Sequence, residues 1–186
     1  QRQMGIRDRS LITRRAEEPV ATQVDYSFGR LMNVGQTSSN IGTNITVKGL
    51  LKDIPARRKF LRSAQTELRH ILKYMHYQAV LYPQISFRLF VDGKPRLSFV
   101  ASESRLARMG EVFGSAFFSD DIIEISASSD GYTLSGYIFG LEDRSDKLID
   151  MQYAFINERF INDKTLRHSI KAAYEPFILK TRVWAR

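Results

Sequence analysis

The sequence predicts an α+β fold. Runs with apolar residues at every second position occur early and again in the middle of the chain, a long stretch of helical periodicity lies between them, and a second helical stretch follows the last run. Residues 1–10, QRQMGIRDRS, are polar and aperiodic and read as a frayed leader. The runs SLITRR and TQVDYSF then read as strands, joined through a turn at Phe28, Gly29 and Arg30 to LMNVGQ, and GTNITVKGLL adds a strand with Ile45, Val47 and Gly49 on one face. No helix in this first part covers those strands, so it reads as an incomplete fold.

From Pro55, a residue suited to a first helical turn, the period becomes helical. Leu61, Ala64, Leu68, Ile71, Leu72, Met75 and Ala79 fall on one face of the predicted helix, with Arg58, Arg62, Arg69 and Lys73 as a stripe on its flank and Glu67 on the other side. After Pro83 the period returns to two. Ile85, Phe87, Leu89 and Val91, the turn DGK, then Leu97 and Phe99 make a hairpin. SRLARMGEVFG reads as a short helix, and IIEIS and YTLSGYIFG form a second hairpin through a Ser-Ser-Asp-Gly turn, with Tyr132, Leu134 and Ile138 on one face. LEDRSDKLID is a loop by composition. MQYAFINERFI reads as a strand or a strand pair through Asn157 and Glu158. Asn162 or Asp163 can cap a last helix that carries Leu166, Ile170, Ala173 and Phe177.

The chain has 186 residues, 43% of them hydrophobic and 26% charged, a composition that supports a packed core. Its net charge of +8 is unevenly spread. Residues 1–80 carry 14 Lys and Arg against 6 Asp and Glu, residues 81–150 are acidic overall, and residues 151–186 are basic again. Two separated basic segments favour a polyanionic partner. The absence of cysteine removes disulfides, thiolate metal sites and cysteine nucleophiles, and no apolar run is long enough to cross a bilayer, so a cytoplasmic protein is expected.

Candidate catalytic groups are few. His70, His76 and His168 share no metal-ligand spacing, and the first two, six residues apart, point from different faces of the predicted helix. Asp120, Asp121 and Glu124 cluster at a turn, where solvated acids are expected. Nucleophile elbows, phosphate-cradling loops of the Walker type and dinucleotide fingerprints are all missing. Two basic clusters remain, one at the start of the Pro55 helix and one formed by Arg159, Lys164, Arg167 and Lys171. A solvated helix face would explain most such runs. The first cluster, however, has no interleaved acid to offset its self-repulsion, and a phosphate backbone would supply the missing charge without any reading of bases.

GTNITVKGLLKDIPARRKFLRSAQTELRHI resembles the Gly-Thr motif and the following PARRKFL signature of the MutL-type DNA mismatch repair proteins, and MQYAFINERFINDKTLRHSIKAAYEPF resembles a later segment of the same family. DGK, RMGEVFG and GYTLSGYI fall between them in the family's order, so the resemblance runs from about Ser10 to Phe177. It implies a ribosomal-protein-like transducer domain, a mixed sheet with helices on one face, over residues 53–186. The closing strands of a GHKL-type ATPase domain would precede it, over residues 1–52.

The resemblance matches Thr43 to a nucleotide-contacting threonine and Arg62 and Lys164 to residues of a basic DNA groove; Lys stands at the second of these positions, where relatives commonly have Arg. Together with the charge pattern it implies non-specific binding of DNA through Arg57, Arg58, Lys59, Arg62, Arg159 and Lys164, with both clusters facing one trough. ATP and magnesium serve the whole family member, along with mismatch-recognition and downstream repair proteins and a homodimeric state. The family's magnesium-holding Glu and Asn, its adenine-reading motif, its lid and its later phosphate-reaching lysine have no counterparts in this sequence. An internal fragment without ATPase activity of its own is therefore expected, with no metal site. Two other readings stay open: a protein-interaction module docking on an acidic partner, and a fragment of a type II topoisomerase, which the PARRKFL signature disfavours.

Overall fold

The structure is a computed structural model and describes residues 8–52, 54–114, 122–139 and 152–183. The predicted acidic loop LEDRSDKLID, Asp120 and Asp121 lie outside the described residues. The chain divides into two compact units, Gln1–Arg69 and His70–Arg186.

In the first unit, β1 (Asp8–Arg14), β2 (Ala21–Ser27), β3 (Arg30–Thr37) and β4 (Gly42–Lys48) form one antiparallel sheet in the order β3-β2-β1-β4. The β2–β3 hairpin turns through Phe28 and Gly29, both with left-handed backbone, which matches the twist of the strands they join. Register separates the two faces of this sheet. Leu11 lies beside Val24 and Ile45, and Val24 beside Val34, giving an apolar row across all four strands. The next row on that face is Thr22, Thr13 and Thr43 with Gln36. The other face carries Ser10, Asp25, Asn33 and Thr46. Its carboxylate at Asp25 is held below the usual carboxylate range by hydrogen bonds, first from Ser10 and then from Gln23. The apolar face is open, with Val34, Ile45, Leu31 and Val47 all exposed. This agrees with the expectation of strands that no helix covers.

The helical stretch from Pro55 is two helices, α1 (Pro55–Arg58) and α2 (Ala64–Leu81), and not one. The break is local chemistry. Ser63 caps α2, its Oγ accepting from the Thr66 N–H at 3.3 Å, while Glu67 Oε1 accepts from the Arg62 N–H at 3.0 Å. A side chain that satisfies orphan N–H groups so well restarts the helix and leaves Lys59–Ser63 outside it. Arg58 and Arg62 therefore do not share a helical stripe with Arg69 and Lys73. Leu61, assigned to the apolar face, is exposed, and so is Ile71.

In the second unit, α2 packs its Leu72, Met75 and Ala79 against the hairpin of β5 (Phe87–Val91) and β6 (Lys94–Phe99). Ala79, Leu97 and Phe99 are the buried centre, joined by Val112 of α3 (Arg105–Phe113). Each large side chain buried there contributes roughly 1.5–3 kcal/mol. Ser104 caps α3 by accepting from the Ala107 N–H at 3.1 Å. One turn into α3 lies Arg108, a fully buried guanidinium. It donates to the carbonyls of Ala79, Pro83, Ile85 and Val100 and pairs with Glu111 at 3.1 Å, so it ties the end of α2, the following loop and the end of β6 to one point. Its carbon lies 5.4 Å from the Phe99 ring centroid.

β7 (Ile122–Ser129) and β8 (Tyr132–Phe139) form the second predicted hairpin, and β9 (Ala154–Ile156) pairs with β10 (Arg159–Ile161) through Asn157 and Glu158. Tyr77 of α2 stacks on Phe160 at 3.7 Å between centroids and meets Phe155 and Tyr153 edge-on, which seats the β9–β10 pair against the helix. Asp163 Oδ1 accepts from the Leu166 N–H at 2.8 Å and caps α4 (Lys164–Val183), as one of the two expected caps. Leu166 and Ile170 are half-buried there; the Phe177 side chain lies outside what is described.

Candidate nucleic-acid interface

The first basic cluster is built on one helical turn. Pro55 opens α1, and Lys59, Phe60 and Leu61 continue it with N–H bonds to Pro55, Arg57 and Arg58 carbonyls at 3.0–3.2 Å, a tight coil that places Arg57, Arg58, Lys59 and Arg62 close together. All four are exposed, and their side chains make no hydrogen bond or ion pair with the described residues. Glu67, the next acid after the cluster, spends its carboxylate on the Arg62 backbone N–H. Further along α2, Arg69 donates to Thr66 Oγ1 at 3.2 Å and Lys73 lies 5.8 Å from the Tyr77 ring centroid. Among the described residues, Arg57, Arg58, Lys59 and Arg62 have no carboxylate partner.

The second cluster sits on a turn and a helix start. Arg159 opens β10 directly after Asn157 and Glu158, both with left-handed backbone. Glu158 does not pair with Arg159. Its Oε2 accepts from the Tyr82 hydroxyl at 2.8 Å, and that bond is the main cause that pushes the Tyr82 phenol above its ordinary value. Lys164 is the first residue of α4, where the helix dipole disfavours a cation unless an anion lies close. Arg159 and Lys164 are exposed and have no side-chain partner among the described residues; Arg167 reaches Asn162 Oδ1 at 3.5 Å. Arg57, Arg58, Lys59 and Arg62 belong to the first unit, and Arg159 and Lys164 to the second.

Thr43 follows Gly42, whose φ of +124° only glycine adopts without strain. The Thr43 hydroxyl lies 2.9 Å from that of Thr13, its cross-strand neighbour. Thr43 itself is exposed. Among the described residues no three His, Asp or Glu side chains are placed together to hold a metal ion. Glu124 is exposed on β7, and His70 and His168 are exposed on helices. His76 is half-buried, edge-on to Phe99 at 5.9 Å, and burial lowers its pKa. The Tyr82–Glu158 bond joins residues 76 apart, which no local pattern could announce.

An α+β chain with an open-faced antiparallel sheet, a basic one-turn helix and a second basic cluster on a capped helix start has known counterparts. Its fold is that of solved ATPase domains of Aquifex aeolicus MutL: the domain complexed with ADP matches with a TM-score of 0.73 at 26% identity, over 91% of this chain and 64% of that one. A second structure, the ATPase domain from the bacterial mismatch repair endonuclease of the same organism, matches with a TM-score of 0.65 at 27% identity, over 88% of this chain and 60% of that one. The family described as DNA mismatch repair protein, C-terminal domain, matches residues 109–184. The DNA mismatch repair protein MutL of Chlorobium luteolum is 32% identical over 170 residues, and that of Porphyromonas gingivalis 34% identical over 168. These alignments take in 91% and 90% of this chain and 27% of each relative, so the chain spans about a quarter of their length. The chain belongs to the MutL-type family of DNA mismatch repair proteins.

Proposed function

We propose that this chain binds duplex DNA without sequence preference, through the phosphate backbone, as part of a mismatch repair protein. The observation that carries this reading is the set of six exposed cations, Arg57, Arg58, Lys59, Arg62, Arg159 and Lys164, none with a carboxylate partner among the described residues. Uncompensated charge raises the folding free energy unless an anion arrives, and each cation that neutralises a phosphate releases condensed counterions. Nothing in either cluster is arranged to read base edges, so affinity without sequence preference is the expected outcome.

The same reading assigns residues 1–52 to the closing strands of an ATPase domain and residues 53–186 to the transducer. The open apolar face with Val34 and Ile45 supports the first assignment, because a sheet of an ATPase domain packs that face against helices. Thr43 is the one residue here proposed to contact nucleotide. ATP and magnesium act in the whole family member, and no step of hydrolysis is assigned to this chain. Coupling to mismatch-recognition and downstream repair proteins, homodimerisation and a cytoplasmic, nucleoid-associated place follow from family membership and are part of the proposal. No described helix is long and apolar enough to cross a membrane.

The test is a charge reversal. Arg62→Glu combined with Lys164→Glu should weaken binding to a random-sequence duplex and reduce the slope of log affinity against log salt by about two, at roughly 0.9 per phosphate contact. Binding equal to the parent's, with the same slope, would show that these cations serve something else. No duplex binding by the parent at low salt would favour docking on an acidic protein.

A further inference from the structure

We propose that the first unit holds a second, separate anion site, a pocket for a single phosphate group centred on Arg14. A cavity of about 270 Å³ is lined by Arg14, Pro19, Val20, Gln36, Thr37 and Ser38. Four of these six residues have polar side chains, and none of the four makes a hydrogen bond or ion pair with the described residues, although Arg14 Nε is buried. Arg14 lines the cavity with its charge unpaired among the described residues, and an anionic acceptor there would form a charge-assisted hydrogen bond with the guanidinium.

Register keeps this pocket apart from Thr43. Arg14 pairs with Gly42, and Thr13 with Thr43, so the alternation of the strand puts Arg14 on the face opposite the threonine row. Ala21 and Thr37, paired with each other, share the Arg14 face. Ala21 is fully buried and Gly42 has no side chain, so small residues leave space beside the guanidinium. Pro19 and Val20, in the β1–β2 connection, form an apolar wall.

The chemistry selects the ligand. The Arg14 guanidinium and the hydroxyls of Thr37 and Ser38 line one cavity, and such a set of donors suits a tetrahedral oxyanion better than a planar carboxylate. The apolar wall leaves room for a small group attached to the phosphate. The ligand class is therefore free phosphate or a phosphate monoester of a small molecule.

Inorganic phosphate, AMP and acetate are the probes, added to the whole chain at constant ionic strength while the Arg14 Nε–H resonance is followed by NMR. Phosphate should shift that resonance saturably, with acetate much weaker; AMP binding more tightly than phosphate would identify the monoester as the source, and equal or weaker binding the free ion. Arg14→Gln should weaken phosphate binding by about tenfold, the worth of a charge-assisted hydrogen bond. Arg14→Lys, which keeps the charge and loses the fork, should lie between. Thr43→Val should leave the affinity unchanged, and Arg14→Gln should leave duplex affinity unchanged, so this site and the basic clusters fail separately. A shift linear in phosphate, or phosphate binding retained in a folded Arg14→Gln variant, would overturn the proposal.

Discussion

At the scale of single residues, Arg108 and His76 decide how the second unit responds to mutation and to pH. Arg108→Met would leave the carbonyls of Ala79, Pro83, Ile85 and Val100 without their donor, and removal of one member of such a buried polar set costs roughly 3–5 kcal/mol. Chemical denaturation should show that loss, and Arg108→Lys should recover little of it, because an ammonium lacks the planar fork. His76 acts through protons. Its folded-state pKa is lowered by burial, so the unfolded chain binds a proton first as pH falls. Stability is full above the ordinary histidine range and is lost as pH drops through that range to the folded value. His76→Leu should flatten this part of the stability–pH curve; a curve unchanged by the substitution would place its cause elsewhere. Neither role could be read from the sequence: a guanidinium at helical spacing looks solvent-facing, and only the four carbonyls that converge on it make its burial tolerable.

At the scale of elements, tight turns and caps carry the design. The hairpin turns at Phe28–Gly29, Asp92–Gly93 and Asp130–Gly131 each place a glycine in left-handed backbone, and turn chemistry with period-two runs made these hairpins legible in advance. The β9–β10 turn does the same with Asn157 and Glu158 and no glycine. Glu158 in that turn accepts from the Tyr82 hydroxyl. Tyr82→Phe should free Glu158 to approach Arg159 and weaken duplex binding, and it should remove one tyrosine that titrates above the ordinary range in an absorbance titration. Duplex affinity unchanged in that variant would mean Glu158 does not govern Arg159. The cap at Asp163 is simpler. Asp163→Ala should cost about 1 kcal/mol in denaturation, the usual worth of an N-cap. The helix from Pro55 departs from the sequence reading, as does β1, which takes in Asp8, Arg9 and Ser10 of the expected leader. Periodicity ran through Lys59–Ser63 without a break, because apolar spacing does not report a Ser-led cap that competes with continuation of the helix.

At the scale of the whole molecule, charge is distributed as two basic segments around an acidic middle, and beside each basic cluster one described acid is engaged elsewhere. Glu67 serves a backbone N–H and Glu158 a tyrosine. In the first cluster this pattern was visible in the sequence as cations without interleaved acids, whereas the partners of Glu67 and Glu158 were not, since they arise from capping and long-range packing. The central claim is that the six cations each contact phosphate, and salt titration of the parent chain on random-sequence duplex tests it most directly. With roughly 0.9 counterions released per contact, six contacts predict a log–log slope of about −5 and the same affinity for unrelated sequences. A slope near zero, or an affinity that changes strongly with sequence at constant salt, would contradict it.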